Sequence, residues 1–379
     1  MSLSPHPPHL TLPSYGRSSL AEVVPSAVAA LGVAGWANSL ALPPADSTVV
    51  LLVDGLGWEL LRAHADDAPY LSSLAADGAP ITCGVPSTTV TSLTSLGTGL
   101  PPGSHGVVGF TSRVPGTNRL LDGLHWDKRV DPRAWQPYDT AFTRAGAAGV
   151  TATVVSKRMF EHSGLTEAGQ RGAAFVGADS LGERVSATAR IAAQPTSLTY
   201  VYDAELDATG HRSGCTSWAW RYQLATVDNF AQMLREALPA RTTLVVTADH
   251  GMVDVPSAQR IDVDEETDLL EGLSLLGGEA RFRHLYCDAG VVDEVVYRWR
   301  DRLGGEAVVV TRDEAIEAGW FGAVDAQVRP RLGDVMVASL GDVAVVSTER
   351  FPREAKLVGL HGSLTAAEML VPLLVDPAG

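Results

Sequence analysis

Four short hydrophobic runs in this chain each border a metal-binding side chain, and that repetition limits the folds open to it. The clearest is Val245-Val246-Thr247-Ala248-Asp249-His250. A β-branched run of this kind reads as a strand covered on both faces, the signature of a parallel sheet. A carboxylate and an imidazole at its tip are poor core material and good metal ligands. Asp54 follows Val49–Val53, Asp207 and His211 follow Leu198–Tyr202, and His361 precedes Met369–Val375. The pattern points to a metal-centred enzyme built on a parallel sheet.

A chain of 379 residues can bury a large core, and 45% hydrophobic with 19% charged content is ordinary for a globular protein. We expect one large domain with a smaller one inserted. A net charge of −15 argues against binding a nucleic-acid polymer, which needs a basic surface. It leaves room for a small phosphorylated ligand held by cations. Cys83, Cys215 and Cys287 are odd in number and form no CxxC pair. Neither a disulfide framework nor a cysteine zinc site is expected, and a reducing compartment fits. The Pro- and Ser-rich stretch Met1–Tyr15 reads as a surface arm before a helix from about Ser19 to Leu31. Ala21–Trp36 is too short and too interrupted to span a bilayer or serve as a signal. A cytoplasmic protein without a membrane association is the expectation.

Ser47–Val53, Ile81–Val85, Val150–Val155, Leu198–Tyr202 and Thr243–Thr247 read as strands. Trp58–Ala65, Tyr70–Asp77, Val90–Leu96, Thr140–Ala148, Ser180–Ala193 and Trp218–Leu238 read as helices, giving an α/β alternation. Gly109–Pro137 lacks periodicity and reads as a loop excursion. After Val255 the composition changes, with strands at Arg281–Cys287, Ala307–Val310, Val335–Ser339 and Val343–Ser347 and an amphipathic helix at Val291–Leu303. The division expected is an arm and helix over 1–46, a core over 47–255 plus 356–379, and an inserted α+β unit over 256–355.

Asp207 and His211 stand four apart, so a helical turn would place both on one face, within reach of one ion. An exposed turn with both groups solvated is the plain alternative. Asp54 could simply cap the helix that follows, worth about 1 kcal/mol, and His361-Gly362 could be a turn. Of the other histidines (His6, His9, His64, His105, His125, His162, His284), only His105 is kept as a supporting residue of a site. Pro86-Ser87-Thr88-Thr89-Val90-Thr91-Ser92 crowds hydroxyls before a helix. A helix N-terminus favours negative charge, and a metal lowers the pKa of a bound alcohol. One of these hydroxyls is a candidate nucleophile and another a cap.

Taken in this order, the motifs resemble the alkaline phosphatase superfamily, and within it the nucleotide pyrophosphatase/phosphodiesterase branch. The resemblance spans roughly 47–109, 198–255 and 356–375. It implies a largely parallel central sheet flanked by helices, with two divalent metals at the strand ends. Asp54, Asp249 and His250 would hold one metal, and Asp207, His211 and His361 the other. Thr89, three residues after Pro86, would be the nucleophile and touch the metal of Asp54. Ser92 stands where the resemblance implies an Asn contacting a nonbridging phosphate oxygen, and it is the candidate for that contact. Mixed imidazole and carboxylate ligation suits Zn²⁺, with Mn²⁺ or Fe tolerated. The activity implied is hydrolysis of phosphate diesters through a phosphothreonine, with a small phosphorylated substrate such as a nucleotide. Phosphomonoesterase, phosphonate hydrolase and a non-catalytic phospho-ligand binder are the alternatives. Tyr202, Trp218, Trp220 and the Gly109–Trp135 loop are the candidate aromatics for a leaving group.

Overall fold

The computed structural model describes residues 10–76 and 78–379. Strands β1 (Ser47–Val53), β2 (Ala79–Thr82), β3 (Thr151–Ser156), β4 (Ala174–Gly177), β5 (Ser197–Asp203) and β6 (Thr242–Thr247) come first. They are followed by β7 (Leu273–Glu279), β8 (Phe282–Cys287), β9 (Ala307–Thr311), β10 (Val335–Ser339) and finally β11 (Leu370–Asp376). The main sheet has seven strands in the order β2-β11-β6-β1-β5-β3-β4. β1 pairs in parallel with β5 and β6, and β3 in parallel with β4 and β5. Only β11 runs against its neighbours. Every residue of β1, β5 and β6 is buried, as continuous apolar runs under helices on both faces require.

Three helices position the site. Helix α1 (Thr89–Thr98) is buried along its whole length and ends at Gly99 in the left-handed region. Helix α2 (Glu205–Ser213) starts two residues after β5 ends. Helix α3 (Trp218–Ala237) buries Trp220, Leu224, Val227, Phe230, Ala231 and Leu234 on one face, and the Ser217 hydroxyl caps it by accepting the Trp220 N–H.

A second, antiparallel sheet has the order β7-β8-β10-β9. Helix α4 (Val292–Leu303) packs Val295 and Trp299 against Leu285, Val309 and Val335, giving this sheet a core of its own. This unit falls inside the 256–355 segment. Among the described residues no helix is long and apolar enough to cross a membrane. All three cysteines are free thiols.

The structure corrects several local expectations. Leu10–Tyr15 is docked rather than a free arm. Thr11 N–H donates to the Leu364 carbonyl, and the Tyr15 hydroxyl bridges the Trp320 carbonyl and the Val85 N–H. The rest of that arm, with His6 and His9, lies outside the described residues, as does Asp77 at the end of the Tyr70–Asp77 helix. Gly109–Pro137 contains a hairpin, Thr111–Arg113 with Leu120–Asp122, and a short helix, Pro132–Trp135. A small cluster of Val90, Val107, Leu121 and Trp135 anchors it. The Ile81–Val85 strand lies earlier, at Ala79–Thr82, because Cys83–Val85 already turn toward α1. Strands β4 and β7 and the helix Gly164–Gly169 were not anticipated.

Candidate metal centre

Strands β5, β1 and β6 lie side by side, and their C-terminal ends open at one edge of the sheet, where ligands bind in open α/β folds. Asp54 follows β1 directly, and Asp249-His250 follow β6 after one residue. Leu52 pairs with Tyr202, and Asp54 shares the face of Leu52, so the Tyr202 hydroxyl reaches Asp54 Oδ2 as a hydrogen-bond donor. Asp249 Oδ1 accepts the N–H groups of Gly55 and His250, both at 3.1 Å. Asp207 and His211 lie one turn apart on α2, with Oδ2 and Nε2 3.4 Å apart.

Gly251 allows these loops to close. A Cβ there would stand 1.9 Å from the Ala367 carbonyl oxygen. Gly55, at φ +75°, turns the chain away from β1 beside the Asp207 side chain.

All three histidines are held the same way. The Nδ1–H of His250 donates to the Gly251 carbonyl (2.9 Å), that of His211 to Gly359 (2.7 Å) and that of His361 to Ser87 (3.0 Å). Each Nε2 therefore carries a lone pair directed into the site, the arrangement of metal-ligating imidazoles. Nε2 of His211 and Nε2 of His361 are only 3.3 Å apart. Two lone pairs that close repel unless a cation or proton lies between them. The rings of His250 and His361 stack at 3.6 Å.

The structure brings together Asp54, Asp249 and His250 as one group, and Asp207, His211 and His361 as another. In each, the ligand atoms lie within 4.8 Å of one another. Oδ1 of Asp54, Oδ1 of Asp207 and Oδ2 of Asp249 are buried without a hydrogen-bond partner. Burial, then the charges of Asp249 and Asp207, push the Asp54 carboxyl well above its usual range. Burial likewise raises Asp249, and burial with two neighbouring imidazoles drives His361 well down. Carboxylates with orphaned oxygens facing imidazole lone pairs fit divalent cations.

Thr89 Oγ1 lies 3.2 Å from His250 Nε2, at the first position of α1. Its own N–H is among the unpaired donors of that first turn. A cavity of about 600 Å³ opens over Thr89, Asp54, Asp207, His211 and His361. Phe110, Phe160, Tyr202 and Phe351 supply aromatic walls, and Asp122, His125, Arg350 and Arg353 also line it.

Some expected residues stand elsewhere. Ser92 is fully buried and does not line the cavity, because α1 carries it one turn inward from Thr89. It is therefore not placed for the expected phosphate contact. His105 bonds Ser95 and the Val107 N–H, away from the cluster. Trp220 is core and Trp218 is exposed, and neither lines the cavity. Glu279, at the end of β7, was missed. Its carboxyl is buried beside His361, with Oε2 3.8 Å from Nδ1, and burial holds its pKa well above the usual range. A lone Glu after Gly277-Gly278 has no local signal.

A fold of this kind, with two groups of Asp and His side chains that could each hold a metal ion at one edge of a largely parallel sheet, is alkaline-phosphatase-like. The chain belongs to the type I phosphodiesterase / nucleotide pyrophosphatase family, whose sequence model matches residues 48–364. Among solved structures it is similar to murine ectonucleotide pyrophosphatase / phosphodiesterase 5, an inactive threonine-to-alanine variant in complex with AMP. That match has a TM-score of 0.69 and 19% identity, over 87% of this chain and 88% of that one. The human form of that protein matches with a TM-score of 0.68 and 18% identity, over 87% of each chain. Phosphonoacetate hydrolase from Sinorhizobium meliloti, in complex with phosphonoformate, matches with a TM-score of 0.64 and 19% identity. It covers 89% of this chain and 91% of that one. A search of curated proteins finds no match.

Proposed function

We propose that this chain hydrolyses phosphate diesters or pyrophosphates with Thr89 as nucleophile and two divalent metals, Zn²⁺ before Mn²⁺ or Fe. The observation that carries this reading is the gathering of three Nε2 lone pairs and three unpartnered carboxylate oxygens in two groups at the cavity that Thr89 also lines, with Thr89 Oγ1 3.2 Å from His250 Nε2. Asp54, Asp249 and His250 would hold one cation, and Asp207, His211 and His361 the other. When bound, the two cations would neutralise the phosphoryl oxygens and favour ionisation of the threonine hydroxyl. Thr89 Oγ, its proton released to solvent, forms a bond to phosphorus as the bond to the leaving oxygen breaks, and the leaving alkoxide takes a proton from water. A second water then attacks phosphorus as the Thr89 Oγ–P bond breaks, and its proton returns to Thr89 Oγ. The N–H groups at the first turn of α1 face developing negative charge.

The cavity favours a diester carrying a flat apolar group over a small phosphonate. Phe110, Phe160, Tyr202 and Phe351 bury a ring well, whereas a phosphonate with a short carboxylate arm would leave that wall empty. A nucleotide moiety fits this description.

The test is hydrolysis of bis-p-nitrophenyl phosphate against p-nitrophenyl phosphate, with metal-loaded and chelator-stripped protein. Metal-dependent preference for the diester is expected. Preference for the monoester, or activity indifferent to chelation, contradicts the reading.

A further inference from the structure

One buried ion pair joins the second sheet to the metal-centre loops. Arg281 sits in the turn between β7 and β8, directly after the cavity-lining Glu279 and Ala280. Glu368 precedes β11. Both are fully buried. Arg281 grips the carboxylate with two bonds, Nε to Oε1 at 3.0 Å and Nη2 to Oε2 at 2.6 Å. Its remaining Nη1 donates to the Val343 carbonyl.

Each carboxylate oxygen accepts a second bond from the turn after His361. Ser363 N–H donates to Oε1 (2.9 Å) and the Thr365 hydroxyl to Oε2 (2.5 Å). Ser363 also donates its hydroxyl to the Ser339 carbonyl at the end of β10. The Ser87 hydroxyl donates to the Ser363 carbonyl and accepts the Gly362 N–H, while the Ser87 carbonyl accepts His361 Nδ1–H. An unbroken chain of bonds thus runs from Arg281 to the imidazole of His361. The other ligand group meets Glu368 only through its backbone, where the carbonyl accepts Gly251 N–H.

A buried ion pair is weak evidence for stability, because desolvation offsets attraction. Its value here is geometric: a planar fork fixes a carboxylate, and the carboxylate fixes a turn. We propose that Arg281 and Glu368 are positioning residues through which the second sheet sets the place of His361, and with it the cation affinity of the Asp207/His211/His361 group. The proposal rests on the metal reading above.

Two single-site backgrounds test it. His211→Ala would leave the Asp54/Asp249/His250 group, and Asp54→Ala would leave the other. Arg281→Lys, which keeps the charge but loses the fork, is added to each, and Zn²⁺ affinity is measured by chelator competition. The expected result is weakening of about 10–100-fold in the Asp54→Ala background and less than twofold in the His211→Ala background. Equal affinity with and without Arg281→Lys in both backgrounds overturns the proposal, and so does equal weakening in both. The double replacement Arg281→Met with Glu368→Gln, which leaves no buried charge unpaired, should give the same asymmetry in circular-dichroism-verified folded protein. Wild-type protein that binds fewer than two equivalents of Zn²⁺ would instead remove the metal reading itself.

Discussion

The Thr89 hydroxyl lies 3.2 Å from His250 Nε2. Thr89→Ala should therefore lower turnover by roughly a thousandfold or more while metal content and melting temperature stay within error. Activity near wild type would remove Thr89 from its role. Tyr202 acts one step further out. Its hydroxyl holds Asp54 Oδ2 and leaves Oδ1 free to face His250. Tyr202→Phe should weaken metal binding about 10–100-fold, read by chelator competition, with the cavity shape kept. Asp54, Asp249 and His250 were legible because each stands just past a buried strand, so its position in space follows from the strand. Asp207 and His211 were legible because a spacing of four places both on one face of a helix. Ser92 misled because a spacing of three keeps nearly the same helix face but moves the hydroxyl one turn along the axis, which here leads into the buried interior and away from the cavity. Glu279, Phe160 and Phe351 were illegible because they arrive from separate segments that only the tertiary fold brings to the centre.

At the scale of elements, strands covered on both faces were the easiest to read. β1, β5 and β6 appear within a residue or two of expectation because nothing but a buried strand accommodates Val49–Val53 or Val245–Thr247. β7 was missed because Gly277 and Gly278 interrupt its apolar pattern, and its pairing with β8 supplies what its own propensity lacks. Two buried histidines set the acid stability of the segment leading to Phe110. Nδ1 of His105 accepts the Val107 N–H, and Nδ1 of His284 accepts the Gly333 N–H, so both must be neutral. Burial pushes His105 down to about 3 and His284 down to about 4. A folded pKa below the unfolded value of about 6.5 gives stability that is full above pH 6.5 and lost as pH falls toward the folded values. Each should cost on the order of 3 kcal/mol by pH 4. Denaturant midpoints measured from pH 7 to 4 should fall, and less steeply in His105→Gln; an equal slope would contradict this. Gly251→Ala, with its Cβ driven onto the Ala367 carbonyl, should destabilise by about 1–3 kcal/mol.

The whole molecule is acidic, at −15, and three of its carboxylates, those of Asp54, Asp207 and Asp249, gather at one sheet edge. Divalent cations held there would convert a repulsive cluster into a site for anions. Binding at a thousandfold above Kd stabilises by about 4 kcal/mol per site. Chelation should thus lower the melting temperature, and re-addition of Zn²⁺ should restore it. An unchanged melting curve would mean that the clusters hold no metal. The overall plan was visible in the order of the motifs, whereas the hairpin of residues 111–122 and the docking of Leu10–Tyr15 depend on long-range contacts that no local pattern announces. The central claim is covalent catalysis at Thr89, and rapid-quench mass spectrometry of the intact protein turning over a diester tests it most directly. A phosphoryl-ester adduct mapping to the Thr89 peptide, absent in Thr89→Ala, is the predicted result. Turnover with no adduct at any quench time, retained in Thr89→Ala, would contradict the account.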